Sequence, residues 1–322
     1  MKHLQWHCKH TGLPTLLCRL YEIATTPARV MLQFFFSLVF CILGEIKTLF
    51  HILFSPIKGD THKARLESFY KGQAFSYDAY RKRLLHGREE LFASLVAELR
   101  LTKDNKTQKK LVWVDLGAGT GSNLELMEQA AGGLDHFEAI YLVDLSGSLL
   151  KVAKKRIEEH RWKNVTCVEA DATTFVLPDG AKADLVTFSY SLTMIPDWFS
   201  VLENVRFNLL KTKDDELVEE PTEGLKVKEV VTTSGRGGVL GAVDFYVSRR
   251  YPSHGLTKQH SWFVRTFWPV FFAQDNVHLN RDHLPYLCSK FRVRSVTESF
   301  GGVPYIPLLK VPHYRFVGRN SD

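Results

Sequence analysis

Cysteine chemistry is nearly absent from this 322-residue chain. Its five cysteines (Cys8, Cys18, Cys41, Cys167 and Cys288) are odd in number and far apart, and none forms a Cys-x-x-Cys pair. That excludes a disulfide framework and a zinc finger, leaves no metal expected, and fits a reducing compartment. There is no arginine-rich arm and no recognisable nucleic-acid module. The net charge of +7 therefore suits attraction to anionic lipid, and no nucleic-acid partner is expected. Internal repeats are missing. No secretory leader is expected, because the first apolar run starts late and no small-residue cleavage site follows it. That run, residues 30–54, lacks the length of a clean membrane span: it is interrupted by Gly44, Glu45 and Lys47 after Leu43. The hydrophobic content of 45% and charged content of 24% are those of a globular chain.

What is present centres on Leu-Val-Trp-Val-Asp-Leu-Gly-Ala-Gly-Thr-Gly, residues 111–121. A short apolar run suits a buried strand. Gly117, Gly119 and Gly121 then let the backbone turn sharply and approach a ligand without a Cβ in the way. A dinucleotide site wants Gly-x-Gly-x-x-Gly and pyrophosphate on a helix N-terminus. Here the last spacing is one residue short and Asp115 precedes the glycines, which disfavours phosphate and favours a cationic ligand. S-adenosylmethionine is such a cation and carries no phosphate. Asp-x-Gly-x-Gly-x-Gly after a strand closely resembles the first motif of class I methyltransferases.

Around this turn the chain divides into a tail (1–29), a hydrophobic segment (30–56), a cap with lead-in helices (57–110) and a domain over 111–322 with a polar insertion at 211–236. On a helix, Gln33, Ser37, Gly44, Lys47, Thr48 and His51 share one broad sector, so 30–54 reads as membrane-associated, either in the interface or as a tilted span. Strands are expected at 137–143, 165–169, 183–189 and 238–247, with final strands at 293–299 and 314–317. Helices are expected over 88–100, 122–131, 149–160, 196–210 and 281–290, the last capped by Asn280. Alternating strands and helices predict a doubly wound, Rossmann-like α/β sheet with helices on both faces, joined to an N-terminal hydrophobic helix.

In such a sheet, ligands meet the carboxyl ends of the strands. Asp144 ends the second strand, about 20 residues after the turn, where an acid meets ribose hydroxyls. Asp171 follows the third strand and suits an adenine amino group, with the Ala172 N–H facing a ring nitrogen. Together with Asp115, Gly117, Ala118, Gly119, Gly121, Leu145, Ser189 and Tyr190, these form the expected S-adenosylmethionine site. The fourth strand leads into Ser-Tyr-Ser-Leu-Thr-Met-Ile-Pro-Asp-Trp (189–198), the stretch facing the transferable methyl. It has no Asn-Pro-Pro-Tyr, which sets aside the usual nucleobase and glutamine N-methyltransferases.

Three blocks sharpen the resemblance: Tyr77-Asp78-x-Tyr80-Arg81 through Leu85-His86-Gly87-Arg88, the 189–198 segment, and Phe-Trp-Pro-x-Phe-Phe (267–272) followed by Asp275-x-Val-His278-Leu and His283-Leu-x-Tyr-Leu. They look like the N-methyltransferase half of betaine-lipid synthases over roughly residues 60–317. The resemblance implies threefold methylation of the amine of diacylglyceryl-homoserine, a lipid substrate in a membrane. A separate aminocarboxypropyl-transferase module would supply that acceptor, and the catalytic domain would lie in the cytosol beside a membrane, the endoplasmic reticulum in a eukaryote. Tyr77, Tyr80, His278 and His283 are then candidate proton acceptors, with Asp275 as a relay or head-group contact. Arg81 and Arg265 are candidates to pair with the homoserine carboxylate, and Trp268 to face a methylated ammonium. Other acceptors (a quinone, a sterol, phosphoethanolamine) stay open, as does a non-catalytic, membrane-anchored protein of the same fold.

Overall fold

The computed structural model describes residues 61, 63–64, 83–101, 110–212, 237–251, 258–273, 277–304 and 306–321. The hydrophobic segment at 30–56, Tyr77, Tyr80, Arg81, Asp275 and positions 213–236 of the polar insertion lie outside them. Among the described residues, no helix is long and apolar enough to cross a membrane.

The chain from 83 onward builds α1 (Arg88–Leu99), β1 (Leu111–Leu116), α2 (Asn123–Ala131), β2 (Phe137–Asp144), α3 (Gly147–His160) and β3 (Val165–Glu169). It continues through β4 (Leu185–Ser189), α4 (Trp198–Asn204), β5 (Val239–Phe245), α5 (Trp262–Ala273), α6 (His283–Lys290), β6 (Phe291–Val303) and β7 (Ile306–Asn320). The strands form one seven-stranded sheet in the order β3-β2-β1-β4-β5-β7-β6. Strands β1 to β5 pair in parallel, and β7 runs antiparallel to both β5 and β6. The order reverses between β1 and β4, so a crevice opens at their carboxyl ends.

Alternation along the strands supplies two cores. Trp113 of β1 faces one side, with Leu91, Phe92 and Leu95 of α1, Leu124 and Met127 of α2, and Trp268 and Phe272 of α5. Val112, Val114 and Leu116 face the other, with Val201 and Leu202 of α4 and Leu284 and Leu287 of α6. A strand buried on both faces needs a continuous apolar run, which is what residues 111–114 provide. The sheet edge at β6 is instead exposed and carries Arg292, Arg294 and Glu298, charges that discourage further strand pairing.

Several expected bounds shift. Ser146 caps α3, its hydroxyl accepting from the Leu149 N–H at 3.3 Å, so that helix starts at Gly147. The helix expected over 196–210 begins at Trp198, with Asp197 accepting from the Ser200 N–H, and passes into a π-helical turn over Val205–Leu209. Asp282, not Asn280, holds the cap position of α6; Asn280 Oδ1 accepts from the Asp282 N–H at 2.8 Å. The aromatic stretch at 262–272, which shows no clear breaker besides Pro269, is a helix. The final strands extend to a long hairpin because β7 bonds along its whole length to β6.

Candidate functional site

A cavity of about 260 Å³ opens at the carboxyl ends of β1, β2, β3 and β4. The glycine turn forms its floor. Gly117, Gly119 and Gly121 all have positive φ (68°, 57° and 73°), a region L side chains rarely adopt. At Gly117 a Cβ would also stand 2.3 Å from the Ser191 Cβ, so the β4 loop closes on the turn only where a side chain is missing. Gly121 plays the same part beneath, with Leu142 and Ala153 against it.

Asp144 stands on the rim. Its Oδ2 accepts from the Gly119 N–H and its Oδ1 from the Ser146 N–H, both at 2.8 Å. Each carboxylate oxygen keeps lone-pair capacity for a ligand hydroxyl, and two backbone donors fix its direction beforehand. Asp171 lines the opposite wall, its Oδ1 accepting from the Thr173 N–H and hydroxyl. Leu145, Ala172 and Tyr190 complete the lining among the expected cofactor residues; Met194, Ile195 and Pro196, from the 189–198 stretch expected to face the methyl, add an apolar side.

Asp115 is elsewhere than its expected role required. It is wholly buried beneath the turn and is absent from the cavity wall. Its Oδ1 accepts from the Thr187 hydroxyl at 2.6 Å and its Oδ2 from the Asn123 amide at 2.8 Å. Burial pushes its pKa up to about 6, against those hydrogen bonds and the nearby Arg88 charge. Both oxygens are thus spent inside the protein, tying β1 to β4 and to the start of α2. A direct contact with a cationic ligand is not what this geometry provides. Ala118, Gly121 and Ser189 also sit behind the lining.

Two functional positions went unread in the sequence. Arg88, the first residue of α1, donates from Nε to the Ser189 hydroxyl at 3.1 Å and from Nη2 to Ser122 Oγ and Asn123 Oδ1 at 2.7 and 2.6 Å. It clamps the β4 end to the α2 start; its place in the Leu-His-Gly-Arg block was the available signal. Asp244 is the second. Fully buried at the end of β5, it accepts from the Thr193 hydroxyl and N–H and from the Phe245 N–H. Burial raises its pKa to about 6. It fixes the short helical turn Leu192–Met194 at one side of the cavity, as Asp115 fixes the glycine turn at another.

The candidate acceptor residues disperse. His278 is exposed, and its backbone N–H donates to the Thr193 carbonyl at 2.8 Å, one residue from the cavity-lining Met194. His283 is buried edge-on against Trp198 with both ring nitrogens unbonded, and burial pulls its pKa down to about 3. It neither lines the cavity nor has the basicity of a proton acceptor near neutrality, so it is a core residue. Trp268 is likewise core, stacked on Phe272 at 5.4 Å, and presents no free face to an ammonium. Arg265 is half-buried on α5, outside the cavity lining, and its Nε is buried without a hydrogen bond. Tyr190 has its phenol bound to the His86 carbonyl at 2.6 Å, so its ring is wall rather than acid or base.

Residues 114–213 match the model of a methyltransferase domain family. A demethylmenaquinone methyltransferase of Anoxybacillus flavithermus is 28% identical over 103 residues, 32% of this chain and 42% of that protein. The chain thus spans under half the length of that curated relative. Among solved structures, phosphoethanolamine N-methyltransferase 2 of Haemonchus contortus shares the fold. Its complex with S-adenosyl-L-methionine superposes with a TM-score of 0.53 at 13% identity, covering 83% of this chain and 61% of that one. Its complex with phosphomonomethylethanolamine and S-adenosylhomocysteine gives 0.52 at 13% identity, over 82% and 61%. Residues 114–213 thus carry a methyltransferase domain, set in the doubly wound sheet that the solved structures share.

Proposed function

We propose that this protein is an N-methyltransferase acting on the amine of a membrane lipid, and that its acceptor is diacylglyceryl-homoserine, methylated three times to the betaine lipid. The observation that carries the reading is the character of the cavity's acceptor side. Met194, Ile195 and Pro196 make it apolar, and the Tyr190 ring continues into Phe245 and Phe272 at centroid distances of 4.5 and 4.8 Å. A water-soluble phosphorylated amine would want cations there, and none lines it among the described residues. The sequence blocks at 77–88 and 267–287 support the same acceptor, and the apolar run at 30–54 supports anchoring beside the bilayer, with the catalytic domain on the cytosolic side.

When bound, S-adenosylmethionine supplies an electrophilic methyl on a sulfonium. The protein's part is to hold a neutral amine in line with that methyl, which accounts for much of the rate in such displacements. Asp144 orients the nucleoside end. The Asp244–Thr193 clamp fixes the loop against which the amine is held. An ammonium must lose its proton before each round, and His278, whose backbone pairs with Thr193, is the described candidate to take it, with Tyr77, Tyr80 and Asp275 as further candidates. A carboxylate too near the amine would stabilise the unreactive ammonium, so the apolar Met194–Pro196 wall favours a neutral nucleophile, with the Asp197 carboxylate that follows it in the lining engaged by the Ser200 N–H.

Mass analysis of lipids from cells co-expressing the chain with an aminocarboxypropyl transferase tests the reading. A trimethylated homoserine lipid is expected. Accumulation of the unmethylated amine would overturn it.

A further inference from the structure

The helix α5 has two apolar sides. Its inner side buries Trp268 and Phe272 against Phe245, next to the Tyr190 wall of the cavity. Its outer side is uncovered: Trp262, Phe263 and Val270 are 73%, 54% and 64% exposed, and Thr266 and Ala273 are exposed between them. At ~100° per residue these five positions fall in one sector of about 100°, continued on one side by half-buried Phe267 and bordered on the other by half-buried Pro269 and then Arg265, and the sector itself contains no charge. The Thr266 hydroxyl donates back to the Trp262 carbonyl at 3.0 Å, so the donor on this face is satisfied within the helix.

Cations gather at the N-terminal end of the helix. Ser248 and His260 exchange two hydrogen bonds, at 3.0 and 2.8 Å, and Gln259 donates to the Arg250 carbonyl at 2.6 Å. These pin 248–250 beside 258–260, just ahead of Trp262. Arg250 and Lys258 therefore lie on neighbouring pinned segments, with Arg249 ion-paired to Asp282 beside them and exposed Tyr251 under the Arg250 guanidinium at 5.6 Å. The acids nearby are engaged: Asp282 with Arg249, Glu298 with Tyr246 and the Lys258 N–H. A Trp/Tyr-bearing apolar face beside a basic rim suits the interface of an anionic bilayer. At 12 residues, α5 is about 18 Å long, too short to span a bilayer and long enough to lie along its surface.

We infer that the outer face of α5 is a membrane-docking surface that seats on anionic lipid and brings the acceptor side of the cavity to the bilayer. The inference rests on the lipid-acceptor reading above and adds to it the surface that meets the membrane. It is independent of residues 30–54, so the test must be site-resolved. The full chain is mixed with phosphatidylcholine vesicles, with and without phosphatidylglycerol, carrying brominated acyl chains that quench tryptophan on contact. Wild-type emission is compared with Trp262→Phe, and Val270→Glu is assayed for methyl transfer to the acceptor amine in vesicles and in detergent.

Quenching that disappears in Trp262→Phe and strengthens with phosphatidylglycerol is expected. Val270→Glu should reduce that quenching and cut turnover in vesicles about tenfold, with turnover in detergent and S-adenosylmethionine affinity unchanged. A chain that does not bind vesicles, or that binds with Trp262 unquenched, overturns the docking surface. So does an oligomer dissolved by Val270→Glu, which would give the face to a second copy. Quenching at Trp262 without methylation of lipid in either form would keep the surface and remove the proposed acceptor.

Discussion

Two buried carboxylates divide the molecule. Asp115 lies under the glycine turn and Asp244 under the Leu192–Met194 turn, each at a strand end, each fully buried and each bonded to a threonine hydroxyl. Burial raises both to about 6. The first supports a nucleoside pocket of a widely used kind, made from backbone and glycine. The second supports a wall made of side chains, the one against which the proposed acceptor would sit. The same device thus serves a general half and a particular half of one crevice.

The largest effect that would break this comparison is expected at the floor. Gly119→Arg puts a long cationic side chain into the cavity, and calorimetry should detect no S-adenosylmethionine binding while the sheet stays folded. Asp144→Ala removes acceptors to the ribose and frees the Gly119 N–H; affinity should fall about 10–100-fold, the loss of one charged hydrogen-bonding group. Asp115→Ala and Asp244→Ala should each cost about 2–4 kcal/mol in denaturant unfolding, because both strand buried donors. They part in function: the first weakens cofactor binding through a loosened turn, and the second slows transfer with the cofactor still bound.

The cofactor half was the more legible one. A strand, a glycine turn and acids at successive strand ends are local patterns, and Gly117, Gly119, Asp144, Leu145, Asp171, Ala172 and Tyr190 do line one cavity. Asp115 was misread because sequence places an acid at a strand end without saying which face it takes; Thr187 and Asn123, distant or offset in sequence, decided that. Clamps such as Arg88–Ser189 and Asp244–Thr193 join positions far apart, so no spacing rule reveals them. His283 and Trp268 looked chemical as residue types, and their burial made them core.

Acid separates the halves in another way. His260, His283 and His313, all in the acceptor half, are pulled by burial to about 4, 3 and 4. The unfolded chain protonates them near pH 6.5 while the folded chain does not, so their contribution is full above that pH and is lost on acidification toward 4. The raised carboxyls act oppositely: the native state takes up their protons between about 6 and 4, which favours folding as pH falls. With three imidazoles against Asp244, the acceptor half should lose hydrogen-exchange protection at pH 5 before β1 and β2 do. The smallest effect is expected from His283→Leu, which removes one acid-labile group: within about 1 kcal/mol of wild type at pH 7, and more stable than wild type at pH 5.

The direct test of the acceptor half is competition. Purified full chain, with isotopically labelled S-adenosylmethionine, is offered diacylglyceryl-homoserine in mixed micelles together with phosphoethanolamine. The account predicts label in mono-, di- and trimethylated lipid and none in the soluble amine. Label confined to phosphoethanolamine would contradict it.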